Sequence, residues 1–557
     1  MTKKSKRITL LLKVIFVMAL ILGAISPAWG CTSLLVGKDA SADGSTIITY
    51  AADSHVLYGA LRHTPAATHP KGSMREVREW DTNKHLGYIP EVEHTYSVVG
   101  NMNEHQVSIT ESTWGGREEL VDTTGIIDYG SLIFIALERS KTAREAIYVM
   151  TTLVEKYGYY SSGESFSIAD PNEVWVLEMI GKGGDSRGAV WVAMRIPDNA
   201  ISGHANQSRI HQFPLKDKDN CLYSKDVISF ARKKGYFNGK DADFSFCDAY
   251  CPASFDNTRY CEARVWAFFN KYASGMERYL PYASGTDLKA ERMPLWIVPN
   301  RKLSVADVEA VLRDHYDGTP LDMNRDLGQG IYETPYRPTP LSFKYQGKEY
   351  FNERPISTQQ TAFSWITQSR SFLPDEVGGV IWFANDDGNM AAYTPVYCCN
   401  TDVPECFKEK NGVSAVNFSI DNAYWVCNWV ANMVYPRYSM LFPELKAVRD
   451  SLESGFFAAQ PIVEKQALEA GSPAQAVELL TRYSRDQGAH MLQAWRDLAF
   501  KLIVKYNDGI VREEHGGHYE MNESGFRPKF TRPGYPEAVK KELVESTGDR
   551  YLVPAKP

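Results

Sequence analysis

No Gly-x-Gly-x-x-Gly follows an early strand in this chain, and it carries no phosphate-loop glycine pattern, no His-Glu-x-x-His and no Gly-x-Ser-x-Gly. Those absences remove the motif basis for a Rossmann dinucleotide site, a nucleotide-triphosphate loop, a zincin centre and an α/β-hydrolase elbow. A papain-like Cys-Gly-x-Cys-Trp segment is missing too. Basic runs are scarce: the formal charge is -7, and no stripe or tail could neutralise a row of phosphates, which argues against a nucleic-acid partner. No segment after residue 30 approaches the apolar length of a membrane span. Internal repeats and low-complexity linkers are also absent.

Cysteine is sparse, at nine residues in 557, and odd in number. If Cys31 stays free, the other eight could form up to four bridges, and they fall in two clusters, 221–261 and 398–427. Zinc on Cys247, Cys251 and Cys261 is the weaker reading, because no histidine pair stands at finger spacing. His515-Gly516-Gly517-His518 has no metal-ligand company and falls in the tail. No metal or organic cofactor is expected.

What is present begins with residues 1–30, which read as an export signal. Lys3, Lys4, Lys6 and Arg7 form a basic start, Val14 to Ile25 an apolar stretch, and Ala28-Trp29-Gly30 a small-residue cleavage pattern. Cleavage after Gly30 makes Cys31 the first mature residue of an exported, periplasmic or extracellular protein with signal peptidase as its processing partner and no stable membrane anchor. One residue then owns both a thiol and an α-amine, the latter with a pKa of roughly 7.7–8.0 and able to take the thiol proton. Three readings of Cys31 stand together here: nucleophile, acylated lipoprotein cysteine and structural cysteine. Ala28 and Trp29 fit a lipoprotein signal poorly.

Periodicity supplies the architecture. Thr32–Gly37 and Ser45–Tyr50 read as strands joined by a turn at Asp43-Gly44, with Asp53 at the far end of the second strand. Tyr96–Gly100 and Gln106–Thr110 read as another pair, connected through 101–104. Helical spacing runs from Tyr129 to Tyr157, with Thr142 as a cap, and over Ser304–Leu312. Val380–Ala384 and Ala391–Pro395 suggest a hairpin. From Tyr438 onward the chain reads as helical, with helices at Pro473–Tyr483 and Met491–Tyr506 and then a charged tail. The order of blocks suits an α+β or layered α/β class, taken here as α+β, with a catalytic domain over 31–437 and a helical C-terminal region and tail over 438–557.

The segment CTSLLVGKDASADGSTIITYAADSH resembles the opening of peptidase family C69 dipeptidases, members of the N-terminal nucleophile hydrolases. The likeness continues through NMNEHQVSITESTWGGREEL, WVAMRIPDNAISGHANQSRI, HYDGTPLDM and STQQTAFSWITQSRSFLPDEVGGVIWFANDDGNMAAYTPVYC. It implies a four-layer αββα sandwich and hydrolysis of dipeptides or short peptides. It also implies roles: Cys31 as nucleophile, Asp53 orienting the terminal amine, Asn103 and Asn206 as active-site amides near the oxyanion, and Arg264 ordering the site. Glu104 or Glu111 is a candidate for pairing with the substrate amine. One departure stands out, since Tyr50-Ala51-Ala52-Asp53 replaces an expected Arg-Asn pair before the aspartate. The rivals are an amidase of the bile-salt or penicillin acylase type and a non-enzymatic lipoprotein. Oligomerisation is left open.

Overall fold

The computed structural model describes residues 30–410 and 412–555. Of the expected signal segment only Gly30 falls among them; the rest lies outside the described residues. No described helix is long and apolar enough to cross a membrane.

Two antiparallel sheets form the centre. In spatial order, the seven-stranded sheet comprises Trp296–Ile297, Ile201–His204, Ser33–Val36, Thr46–Asp53, Thr361–Ser369, Val380–Asn385 and Thr394–Tyr397. The eight-stranded sheet runs Cys221–Tyr223, Ala189–Ile196, Val174–Gly181, Gly163–Ala169, Ser108–Trp114, Met102–Asn103, Val98–Val99 and His63–Thr64. Helices Tyr129–Leu137 and Ala143–Tyr157 pack on the eight-stranded sheet. Helices Ala263–Tyr272, Val305–Leu312, Ala423–Val434, Tyr438–Leu468 and Pro473–Tyr506 pack on the other. The chain is thus mixed α and β, with a helical C-terminal region.

The two sheets meet through hydroxyls as well as apolar side chains. Thr110 donates to Ser33 at 3.0 Å and Thr367 to Ser108 at 3.1 Å. His204, fully buried, is held between Ser112 on Nδ1 (2.6 Å) and Ser167 on Nε2 (2.8 Å). Burial without a carboxylate partner pushes its pKa down to about 3, so the ring is neutral. Such contacts satisfy polar groups that would otherwise be costly in a closed interface.

The first hairpin forms as its turn residues dictate. Gly44 takes a positive φ of 84°, and Asp43 accepts from the Ser41 and Ser45 hydroxyls at 2.7 and 2.6 Å. Thr142 caps its helix by accepting from the Glu145 N–H, and Ser304 with Asp307 forms a capping box. Two segments differ from the sequence reading. Met102–Asn103 is itself a short strand rather than a connection. The region expected as two helices is one, Pro473–Tyr506. Gly488, between the two expected ranges, sits where a Cβ would meet Pro404 at 2.4 Å, so a glycine permits this close packing.

The expected disulfides do not form: all nine cysteines carry free thiols. Cys398 and Cys399 have sulfurs 3.9 Å apart, well beyond the ~2 Å of a bond. Cys247 instead contacts His211 Nδ1 at 3.1 Å, beside Asp248. Arg292 reaches all three, which places a cation on the trio already.

Candidate active site

Cys31 lies just before the first strand, where residues 30–32 run along the end of the second. Thr32 and Ala51 exchange backbone hydrogen bonds at 3.2 and 2.9 Å, and the Gly30 N–H donates to the Asp53 carbonyl at 2.9 Å. The hairpin therefore carries Asp53 back beside Cys31, although the two are separated by the whole length of the turn and the return strand.

Asp53 is fully buried and has two donors. Arg354 reaches Oδ2 at 2.5 Å, and Thr361 donates to Oδ1 at 2.6 Å. Burial is the largest influence on this carboxyl and raises its pKa, while Arg354 and Thr361 pull it the other way. Arg354 also donates to the Gly30 carbonyl. A side chain at position 30 would collide with it, since a Cβ there meets the guanidinium at 2.2 Å. The positive charge missing from position 50 is thus delivered to Asp53 from a distant loop.

Arg264 and Asn206 form a second group. Arg264 Nη1 donates to the Cys31 carbonyl at 2.7 Å and to the Thr32 hydroxyl at 2.8 Å. Its Nη2 donates to the Ala205 carbonyl and to Asn206 Oδ1, both at 2.9 Å. Complete burial beside Arg354 lowers its pKa to about 10, still leaving it charged at neutral pH. Asn206 adopts a positive φ of 64°, a conformation asparagine tolerates. Its Nδ2 donates to the Thr113 carbonyl at 2.6 Å, and among the described residues no acceptor takes the second amide proton.

Asn103 does not join this group. Its Nδ2 donates to the Leu137 and Ser140 carbonyls, both at 2.7 Å, and its Oδ1 accepts from the His105 and Val107 N–H groups. Every hydrogen-bonding site of the amide is consumed in tying a turn to a helix end, so the expected oxyanion role has no free donor here. Glu104 is likewise occupied locally, accepting from the Ser97 N–H at 3.0 Å. Glu111, in contrast, sits at the thiol. Its Oε1 accepts from Cys31 Sγ at 3.5 Å and from the Tyr50 hydroxyl, and Tyr50 itself lies 3.5 Å from the sulfur.

Cys31 is 7% exposed, and burial, followed by the charges of Glu111 and Asp53, raises its thiol pKa well above the ordinary value. The Tyr50 hydroxyl and the Asp53 N–H oppose that shift. A cavity of about 380 Å³ opens next to the thiol, lined by Tyr50 and Glu111 and walled by Trp365 and Phe383 among others. A base is needed to make such a thiol nucleophilic.

The model of peptidase family C69 matches residues 30–64 and 56–450. The chain belongs to peptidase family C69. It is similar to a "Probable dipeptidase" of Latilactobacillus sakei, 28% identical over 85% of this chain and 95% of the relative. A "Probable dipeptidase" of Salmonella dublin is 28% identical over 66% and 80% of the two chains. "Dipeptidase A" of Lactobacillus helveticus is 25% identical over 87% and 97%. As a C69 member the protein is a peptide-bond hydrolase.

Four residues around the centre of this C69 peptidase escape a reading of the sequence: Arg354, Thr361, Asp81 and Glu164. Arg354 and Thr361 come from the loop and strand more than 300 residues beyond Asp53, at separations no local pattern encodes. Glu164 had a signal, being an acid inside the apolar strand Gly163–Ala169, all of whose positions are buried. Asp81 had none; it lies in a turn and lines the cavity.

Proposed function

We propose that this protein is an exported cysteine dipeptidase of the N-terminal nucleophile type, with the sheets and flanking helices forming a four-layer αββα sandwich. The observation that carries this is the clamp on residue 31. Its carbonyl is held by Arg264, its backbone runs beside Asp53, and its sulfur touches Tyr50 and Glu111, two residues that line a cavity. Removal of residues 1–30, by signal peptidase or by self-cleavage, replaces the Gly30–Cys31 amide with a free α-amine next to the Asp53–Arg354 pair.

The amine takes the proton of the Cys31 thiol, and the thiolate forms an S–C bond to the substrate carbonyl. Asp53 orients the amine. The developing oxyanion is held by the uncommitted amide N–H of Asn206 together with backbone N–H groups. Collapse breaks the C–N bond as the ammonium returns its proton to the leaving amine. Water, deprotonated by the same amine, then hydrolyses the thioester and frees the thiol. A terminal amine serves here better than a distant histidine because the thiol is buried and its acidity suppressed.

Mass analysis of the purified N-terminus, paired with a dipeptide panel, tests this. An unmodified Cys31 terminus with turnover abolished by Cys31→Ser is the expected result. A diacylglyceryl adduct on Cys31, or unchanged turnover in that variant, overturns it.

A further inference from the structure

Beside Cys31 the cavity is divided in character. Ile133, Phe134, Phe363, Trp365 and Phe383 give it an apolar wall, while Glu111 and Asp81 give it an acidic one. Behind Glu111 stands Glu164, fully buried and in side-chain contact with it. Glu111 Oε2 and Glu164 Oε1 are both buried and receive no hydrogen bond from a third described residue, so the two carboxyls face each other across the proton that Glu164 keeps. Glu111 is 3% exposed; the arginine that also lines the cavity, Arg62, pairs with Glu409 at 2.5 Å, and among the described residues no salt bridge reaches Glu111, Glu164 or Asp81.

Two buried carboxyls in contact without a cation are an expensive arrangement, and a third, the solvent-exposed Asp81, lines the same cavity. Part of the cost is met by protons: burial and Glu111 raise Glu164 strongly, and burial, then Glu111 and Asp128, lifts Asp81 to about 7 even though Tyr129 donates to it at 2.9 Å. What remains is a strong preference for a bound positive charge, placed within reach of the nucleophile. In an aminoacyl substrate the α-nitrogen is two bonds from the carbonyl carbon that the sulfur attacks. The same Cα carries the side chain, which here meets aromatic rings. At about 380 Å³ the cavity lies at the small end of the roughly 300–1,000 Å³ of ligand pockets, room for a short peptide.

Resting on the Cys31 hydrolase reading, we propose that Glu111 and Asp81 bind the free α-ammonium of the substrate's first residue. Glu164 is the positioning residue that holds Glu111, and the apolar wall takes an aromatic or large aliphatic first side chain. The enzyme then demands an unblocked amino terminus.

Processed protein with a verified Cys31 terminus is assayed on Phe-Ala, Gly-Ala and N-acetyl-Phe-Ala. Phe-Ala should exceed each of the other two by at least tenfold in kcat/KM. Glu164→Leu, which removes the group that holds Glu111, should shrink the ratio of Phe-Ala to N-acetyl-Phe-Ala at least fivefold, through KM more than kcat. A gap below tenfold in the wild-type panel overturns the inference while leaving the Cys31 chemistry standing. So does an unchanged ratio in a folded Glu164→Leu protein; if that variant does not fold, the wild-type panel decides alone. No turnover of any of the three peptides overturns the hydrolase reading and this inference with it.

Discussion

Arg354 donates to Asp53 Oδ2 at 2.5 Å across a sequence separation of 301 residues, and both side chains are buried. Cutting one partner leaves the other as an unpaired charge in a closed site. Arg354→Ala should therefore destabilise the fold by about 3–5 kcal/mol, read as a lowered urea midpoint. A double substitution, Arg354→Met with Asp53→Asn, should recover part of that loss while remaining inactive on dipeptides. A loss in the double variant equal to the sum of the losses in Arg354→Met and Asp53→Asn alone would show that the pair is not coupled.

Arg264 presents its guanidinium to four acceptors around Cys31 and Asn206. An ammonium cannot reproduce that planar fork. Arg264→Lys should keep the charge yet lower kcat on a dipeptide by at least tenfold, with a smaller change in KM. A lysine variant with wild-type kcat would mean that charge alone suffices.

The local hairpin was legible because its turn chemistry and β-branched runs agree, and the capped helices were legible for the same reason. Cys31, Asp53, Asn206 and Arg264 were named from motif positions, and the structure gathers all four around one backbone segment. Asn103 went astray because an asparagine in a turn offers identical sequence evidence whether its amide faces a cavity or ties down carbonyls. Arg354 was illegible for a different reason: a lone arginine in an irregular loop has no period, and only the closure of the sheet brings it to Asp53. The Pro473–Tyr506 helix is continuous through residues 484–490, where the apolar spacing lapses, and Gly488 there meets Pro404 closely enough that a side chain would not fit.

The charge of Glu111 is the second-largest cause of the raised Cys31 pKa, after burial. Glu111→Gln removes that repulsion, so the thiol pKa falls and more thiolate is present at a given pH. In unprocessed protein, where no α-amine is available, iodoacetamide labelling of Cys31 at pH 8 should be faster in Glu111→Gln than in wild type. Peptide mass mapping gives the rate at Cys31 separately from the other cysteines. Slower or equal labelling would remove Glu111 as a determinant of thiol acidity.

His204 joins the two sheets as a neutral ring between Ser112 and Ser167. Its folded pKa of about 3 lies below the unfolded value near 6.5, so the unfolded chain binds the proton first. The stability tied to this histidine is complete above pH 6.5 and is lost as pH falls toward 3. Each pH unit in that window costs about 1.4 kcal/mol. Asparagine has no such proton to take up, so the advantage of wild type over His204→Asn should shrink by about 2 kcal/mol between pH 6.5 and pH 5. Urea unfolding of both proteins at the two pH values measures the difference. Parallel curves would mean that His204 is reached by solvent and titrates alike in both states, and the hydroxyl clamp between the sheets would then be open rather than dry.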